Sequence, residues 1–311
     1  MTAGTQRPVA RVGLATCATV PVGDPDDALL TDRLADRGVE STWVTWTESE
    51  PSTLHEQIDA LVLRSTWDYT DDRSAFVAWL KAASVPVFNP PGIVEWNSSK
   101  AYMLDLEAAG VPVVPTRIVA SDAEELLAPE YVDEFVVKPA IGAGSRGADR
   151  FLANDDGIAR ARRHAAQLIE SGTPAVVQPY LPSVDAGSET ALLYFDGVYS
   201  HAAAKGPMLA RDGGQEAREM FEGLYFVEKM TRRLASPEQR AVAERALAAV
   251  HGEAPLYARV DLVDAPDGSP VVLELELIEP SLFLAFDDGA ADRAAAAIAA
   301  RVRSIDPRDA D

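Results

Sequence analysis

Residues 257–282, YARVDLVDAPDGSPVVLELELIEPSL, are the most informative stretch of the chain. Two apolar runs flank Asp267-Gly268, a dipeptide suited to tight turns, so a β-hairpin is expected. Residues two apart on a strand share a face. Glu274 and Glu276 therefore project together, and Asp261 can face them from the other strand, with Arg259 on its own face. The run VVLELELIEP holds three acids and no base, a poor composition for a solvated face. Carboxylates converging among apolar neighbours repel unless cations neutralise them. Hard oxygen ligands at a phosphate site suit Mg²⁺. Arg259 is placed to hold a phosphate oxygen or a developing oxyanion.

Upstream, ETALLYFDGVYSHAAAKG (189–206) is a second hairpin, turning at Asp196-Gly197. A Gly-rich charged loop (about 206–224) and a helix separate the two. Ser236-Pro237 opens that helix, and Gln239 completes a capping box. AADRAAAAIAARVRSI (290–305) is a closing helix.

Further upstream, VVKPAIGAGSRGADRF (136–151) contains G-x-G-x-x-G at Gly142, Gly144 and Gly147. A dinucleotide-binding crevice needs a helix directly after the third glycine and an acid about 20 residues on. Here a strand follows, which excludes that reading. What remains is Lys138 on a strand, then either a loop whose backbone N–H groups, with Ser145 and Arg146, form an anion nest, or a bare hairpin loop beside a surface lysine. No G-x-x-x-x-G-K-[ST] motif is present.

The N-terminal part alternates strands and helices. ARVGLAT, STWVTW, DALVLRS and VPVFNPP read as strands, and Asp26–Arg37 and Asp71–Ala83 as helices. This pattern predicts an α/β layer with a parallel sheet ending near residue 95. A helix is then expected to open at Asn97-Ser98-Ser99 and stop at Gly110, followed by strand RIVA and a helix from about Ser121. Strands EFVVKPA and GADRFL and a helix over Asp156–Ser171 complete a small βαβ-like middle piece, joined to the rest by AVVQPYLP. The expected fold is thus α/β plus α+β, in units 1–95, 96–180 and 181–311.

Composition narrows the partners. The net charge of −21, from 49 acidic against 28 basic residues, lacks the basic footprint of nucleic-acid binders. No apolar run approaches the ~20 residues of a membrane span, and the N-terminus reads as a ragged end before a strand. The single cysteine, Cys17, reads as a small buried residue, and a cytoplasmic location is expected. The four histidines show no metal-ligand spacing; among them only His201, on the hairpin leading to Lys205, is a candidate to line a site. A G-x-S-x-G elbow is lacking.

The order of these parts resembles the ATP-grasp ligases. It runs from Lys100 through Lys138 and the glycine loop to Gln178-Pro179-Tyr180-Leu181 and an acid, then Lys205, Asp261 and Glu274-x-Glu276. The resemblance covers roughly 96–305. The phrases LRSTWDY, FNPPGIVEWNSSK, VVKPAIGAGS and LELELIEPSLFL are similar to a narrower branch that includes cyclo-ligases forming D-cycloserine from O-ureidoserine. The resemblance implies ATP and Mg²⁺, with two ions and Mn²⁺ as a substitute. It implies that Lys100 and Lys138 contact the ATP phosphates, with Gly142, Gly144 and Ser145 at the nucleotide, and that residues 178–181 form the adenine hinge. It further implies Asp185 or Glu189 near the ribose, Lys205 and Arg259 at the γ-phosphate and acyl phosphate, and Asp261, Glu274 and Glu276 as metal ligands. Many relatives carry Asn at the position of Glu276, which makes this site more negative.

The implied chemistry is activation of a small amino-acid-like carboxylate as an acyl phosphate, attacked by nitrogen either within the molecule or from a second one. A homo-oligomer is compatible with the resemblance. Arg64, at a strand end, is a candidate for the substrate carboxylate or a scaffold partner of Asp68; Arg146 is a second substrate candidate. Trp67 and Tyr69 either line the pocket or pack. The glycine loop and residues 206–224 are expected to act as lids. A non-catalytic nucleotide-binding protein would predict a broken set, whereas Lys100, Lys138, Arg259, Asp261 and Glu274 are all present.

Overall fold

The computed structural model describes residues 9–130, 132–209, 220–227 and 229–305. The chain opens with β1 (Ala10–Thr16), α1 (Asp27–Asp36), β2 (Val39–Thr45), β3 (Ala60–Ser65), α2 (Arg73–Lys81) and β4 (Val87–Phe88). The strands form a parallel sheet in the order β2-β1-β3-β4. The inner strand β3, ALVLRS, is buried throughout, as expected of a parallel sheet covered on both faces. On one face Phe76, Val77 and Leu80 of α2 pack with Trp46 and Leu61.

Next come α3 (Pro91–Asn97) and α4 (Tyr102–Ala108). The expected helix start at Asn97-Ser98-Ser99 is corrected: Asn97 ends α3, and α4 begins after Ala101 without a side-chain cap. The prolines of FNPP do not only end a strand, because Pro91 also starts a helix, where its missing N–H costs nothing. Residue 95 thus lies inside α3.

The middle strands β5 (Arg117–Val119), β6 (Glu134–Pro139), β7 (Asp149–Leu152) and β8 (Ala175–Pro179) form a sheet in the order β5-β8-β6-β7, with α5 (Asp155–Glu170) against it. All its pairings are antiparallel, so the βαβ-like expectation is corrected. The expected helix from Ser121 is only a 3-10 turn at Ala123–Glu125.

The last sheet combines β9 (Thr190–Phe195), β10 (Val198–Lys205), β13 (Met230–Arg233), β14 (Tyr257–Asp264) and β15 (Pro270–Glu276), in the order β13-β10-β9-β14-β15. Between β10 and β13 lies a small ribbon of β11 (Met220–Phe221) and β12 (Tyr225–Phe226). Asp196 and Gly197 both have positive φ, +51° and +75°, which suits the two-residue turn between β9 and β10. α6 (Pro237–Ala248) carries the expected capping box, and α7 (Ala290–Ser304) closes the chain.

α7 joins the first and last sheets. Its Ala294, Ile298 and Val302 share one core with Val12, Leu14 and Leu34 on one side and Leu193, Phe195 and Tyr257 on the other. Three buried polar side chains then fasten the edge strand β15 and its exit. The Asn89 amide donates to the carbonyls of Tyr257 (2.9 Å) and Leu277 (2.6 Å) and accepts from Leu256 N–H. Asn97 pairs with the Leu275 carbonyl and Leu277 N–H, and the Tyr102 hydroxyl accepts from Leu275 N–H. Buried backbone groups require such partners, so these side chains hold the acidic strand in register. No helix among the described residues is long and apolar enough to cross a membrane.

Candidate active site

The expected carboxylate face forms as the strand period dictates. Across β14 and β15, Asp261 stands opposite Glu274, and Arg259 opposite Glu276. The three acids present oxygens within 4.8 Å of one another. Arg259 grips Asp261 with two bonds, Nε to Oδ1 at 2.9 Å and Nη2 to Oδ2 at 3.0 Å, and also bonds Glu276. Lys205, at the end of β10, reaches Asp261 Oδ2 at 2.9 Å and Glu189 Oε1 at 3.0 Å. Lys100 reaches Glu274 Oε1 and the Gly142 carbonyl, each at 2.8 Å.

The electrostatics of this cluster are uneven. Burial would raise Glu274, but Lys100 and Lys138 override it and hold the carboxyl well below its usual range. Asp261 is likewise held low against burial by Arg259 and Lys205. Glu276 is pushed up to about 7 by burial, and repulsion from Glu274 and Asp261 persists despite Arg259. Three hard oxygen donors whose atoms converge within 4.8 Å of one another fit a divalent cation such as Mg²⁺. Lys138, on β6, is lowered to about 8 by burial, with Lys100 and Lys205 adding repulsion. Its ammonium makes no ion pair among the described residues, which leaves it able to meet an anion.

These groups surround a cavity of about 850 Å³ between the three sheets, within the range of small-molecule sites. Lys100, Lys138, Lys205, Arg259, Glu274 and Glu276 line it, whereas Asp261 lies beneath, almost fully buried. Gly142, Gly144, Ser145 and Arg146 form one wall. Gly144, Ser145 and Gly147 have φ of +60°, +58° and +70°, a left-handed run in which glycine is the natural residue. The Gly144 carbonyl accepts from Phe226 N–H at 3.3 Å, so the glycine loop and the β11–β12 ribbon touch. Residues 210–219 of the expected second lid lie outside the described residues.

At the opposite wall, Gln178, Tyr180, Leu181 and Glu189 face the cavity. Gln178 donates to Thr116 Oγ1 at 2.9 Å, and Tyr180 N–H to the Glu134 carbonyl at 3.0 Å. Of the two acids left open for the ribose, Glu189 lines the cavity and Asp185 does not. Asp185 instead accepts from the Tyr180 hydroxyl at 2.6 Å and from Arg150 at 3.2 Å. The buried Arg150 guanidinium sits 3.4 Å from the centre of the Tyr180 ring and pairs with Glu134. This arrangement fixes the Tyr180 ring, and the sequence did not reveal Arg150 because its partners lie 16 and 35 residues away.

Two further expectations are corrected. Arg64 is only 2% exposed and lies outside the cavity lining. It pairs with Asp27 at 2.9 Å and donates to the Pro280 carbonyl, so it is scaffold, and its partner is Asp27. Asp68 instead takes the Trp46 indole N–H at 2.6 Å. His201 is buried against Phe195 with Nε2 at the Leu282 carbonyl and does not line the cavity. Trp67 and Tyr69 do line it. Asp24, Glu279 and Phe283 also face it, and none was anticipated; Glu279 was legible only as one more acid beyond the strand.

Comparison with known proteins agrees with this architecture. Residues 12–89 match the family model "D-cycloserine synthetase DcsG, N-terminal domain". The chain is 40% identical over 263 residues to the cycloserine biosynthesis protein DcsG of Streptomyces lavendulae, covering 79% of this chain and 84% of that protein. The crystal structure of D-cycloserine synthetase DcsG superposes with a TM-score of 0.82 at 37% identity, over 94% of this chain and all of that one. An ATP-grasp RimK domain protein from Sphaerobacter thermophilus shares the fold at 20% identity, with a TM-score of 0.66 over 95% of this chain and all of that one. With this coverage and identity, the chain belongs to the D-cycloserine synthetase DcsG family of ATP-grasp ligases.

Proposed function

We propose that the protein closes the ring of an O-ureidoserine, forming D-cycloserine by activating the substrate's own carboxylate with ATP. The observation that carries this reading is the grouping of Lys100, Lys138, Lys205 and Arg259 around three carboxylates at one cavity. That is a site for phosphates, a divalent cation and a carboxylate together, in a chain 40% identical to a cycloserine biosynthesis protein.

Lys100 and Lys138 would hold ATP phosphates, with the backbone N–H groups of residues 142–147 around them. Since Tyr180 N–H is committed to Glu134, Leu181 N–H is the hinge donor left for adenine, and Glu189 is the acid for the ribose. Asp261, Glu274 and Glu276 would hold Mg²⁺, two ions when fully loaded, and Mn²⁺ would substitute. The metal supplies charge neutralisation at the phosphates.

A carboxylate oxygen of the substrate takes the γ-phosphoryl group as the bond to ADP breaks. Arg259 and Lys205, which line the cavity beside these acids, would stabilise the charge on the transferring group. The side-chain N–O nitrogen then attacks the acyl carbon, loses its proton, and inorganic phosphate departs. The carbamoyl group still on that nitrogen is removed by water, leaving as carbon dioxide and ammonia, and D-cycloserine remains. The glycine loop and the β11–β12 ribbon exclude water, which would otherwise hydrolyse the acyl phosphate.

The test is ADP release by purified protein with ATP, Mg²⁺ and a panel of amino acids that includes O-ureido-D-serine. Turnover with O-ureido-D-serine alone is expected, falling on the order of 100-fold or more in Glu274→Ala. Turnover only when a separate amine is added would replace ring closure by intermolecular ligation. ATP binding without ADP release from any carboxylate would overturn the reading.

A further inference from the structure

Glu279 lies three residues beyond β15 and is only 8% exposed, yet it lines the cavity. Its backbone carbonyl is taken by the Trp67 indole N–H at 3.1 Å. Its carboxylate has no ion-pair or hydrogen-bond partner from another residue among the described residues. It also stands apart from the three acids close enough to share a metal. Burial, reinforced by repulsion from Glu276, pushes its carboxyl well above the ordinary range. A buried carboxylate without a partner is costly and is relieved by a cation.

The same wall holds a second acid, Asp24, also 8% exposed, from the loop before α1. Its oxygens accept from Asp26 N–H at 2.9 Å and the Ser281 hydroxyl at 3.4 Å, neither of them a cation. Ser281, which makes the second of these bonds, lies two residues after Glu279 in the chain. Three of the basic groups near the metal carboxylates are engaged elsewhere: Lys100 with Glu274, Lys205 with Asp261 and Glu189, Arg259 with Asp261 and Glu276. The aromatic rings of Trp67 and Phe283 also line the cavity, and ring faces favour organic cations over hydrated metal ions.

We propose that Glu279, assisted by Asp24, receives the α-ammonium group of an amino-acid substrate whose carboxylate meets Arg259. This rests on the ligase reading above and assigns one side of its substrate pocket. An α-amino acid would then be read at two points of opposite charge, and a carboxylic acid without the amine would bind poorly.

The experiment compares binding of O-ureido-D-serine and its desamino counterpart, 3-(ureidooxy)propanoate, by calorimetry with a non-hydrolysable ATP analogue and Mg²⁺. Wild-type protein is expected to prefer the amine-bearing compound about 10- to 100-fold, a preference that Glu279→Gln abolishes while ATP-analogue affinity holds. Glu279→Asp is expected to restore part of it. Equal binding of the two compounds by the wild type, or an unchanged preference in Glu279→Gln, would overturn the proposal even if the enzyme turns over. A preserved preference without ADP release would instead sink the ligase reading and leave the ammonium site standing. Failure to bind either compound would overturn both.

Discussion

Replacing Gly144 by Ala tests whether the glycine loop must close on the β11–β12 ribbon. Gly144 has φ +60°, and an added Cβ would lie 2.3 Å from Tyr225 Cβ, 2.6 Å from Tyr225 Cα and 2.9 Å from the Leu224 carbonyl oxygen. Two of those contacts are backbone, so no rotamer change relieves them. The left-handed conformation costs a non-glycine residue about 1–2 kcal/mol, and overpacking adds about 1–3 kcal/mol. The closed arrangement is therefore penalised by roughly 2–5 kcal/mol, or about 30-fold to several thousand-fold in kcat/KM. The fold itself can escape by parting loop from ribbon, so the melting temperature is expected to hold. Gly223→Ala is the control: φ is +73°, but no described residue lies within 4 Å of its added Cβ, so only the left-handed backbone cost of about 1–2 kcal/mol applies. The assay is kcat/KM for ATP in both variants, with ADP released without ring product as the measure of leaked acyl phosphate. Wild-type kinetics in Gly144→Ala, or equal losses in the two variants, would refute the closure argument.

Two more outcomes are expected. Lys138 is charged below about pH 8 and loses its proton above it, so kcat/KM for ATP should fall as pH rises through that value. Lys138→Arg, charged throughout, should flatten that alkaline limb in the pH profile. Asn89→Ala removes three hydrogen bonds to the backbone around the acidic strand. It should lower stability by about 2–4 kcal/mol, seen as a lower urea midpoint with an unchanged slope.

Much of the site was legible because its logic is local. The alternation in VVLELELIEP puts Glu274 and Glu276 on one face whatever the rest of the chain does, and a turn at Asp267-Gly268 brings Asp261 opposite. The same holds for the Ser236 capping box and the Asp196-Gly197 turn, where the signal lies within a few consecutive residues. The prolines and asparagines of FNPPGIVEWN were misread because their meaning is not local. Asn89 and Asn97 bond to strand groups more than 160 residues away, and Pro91 fits a helix start as well as a strand end.

By itself, the sequence determined the strand faces, the turns, the order of the basic and acidic groups, and with these the ligase family. Those features follow from backbone periods and side-chain chemistry at short range. Only the tertiary structure decided which charges meet. Arg64 goes to Asp27 rather than to a substrate, Asp185 to Arg150 rather than to the cavity, and Glu279 into the cavity with no ion-pair partner among the described residues. The middle sheet also proved antiparallel, a matter of how distant strands pair. A charge's partner depends on which surfaces the fold brings together and how far each is removed from water, and no periodicity along the chain encodes that.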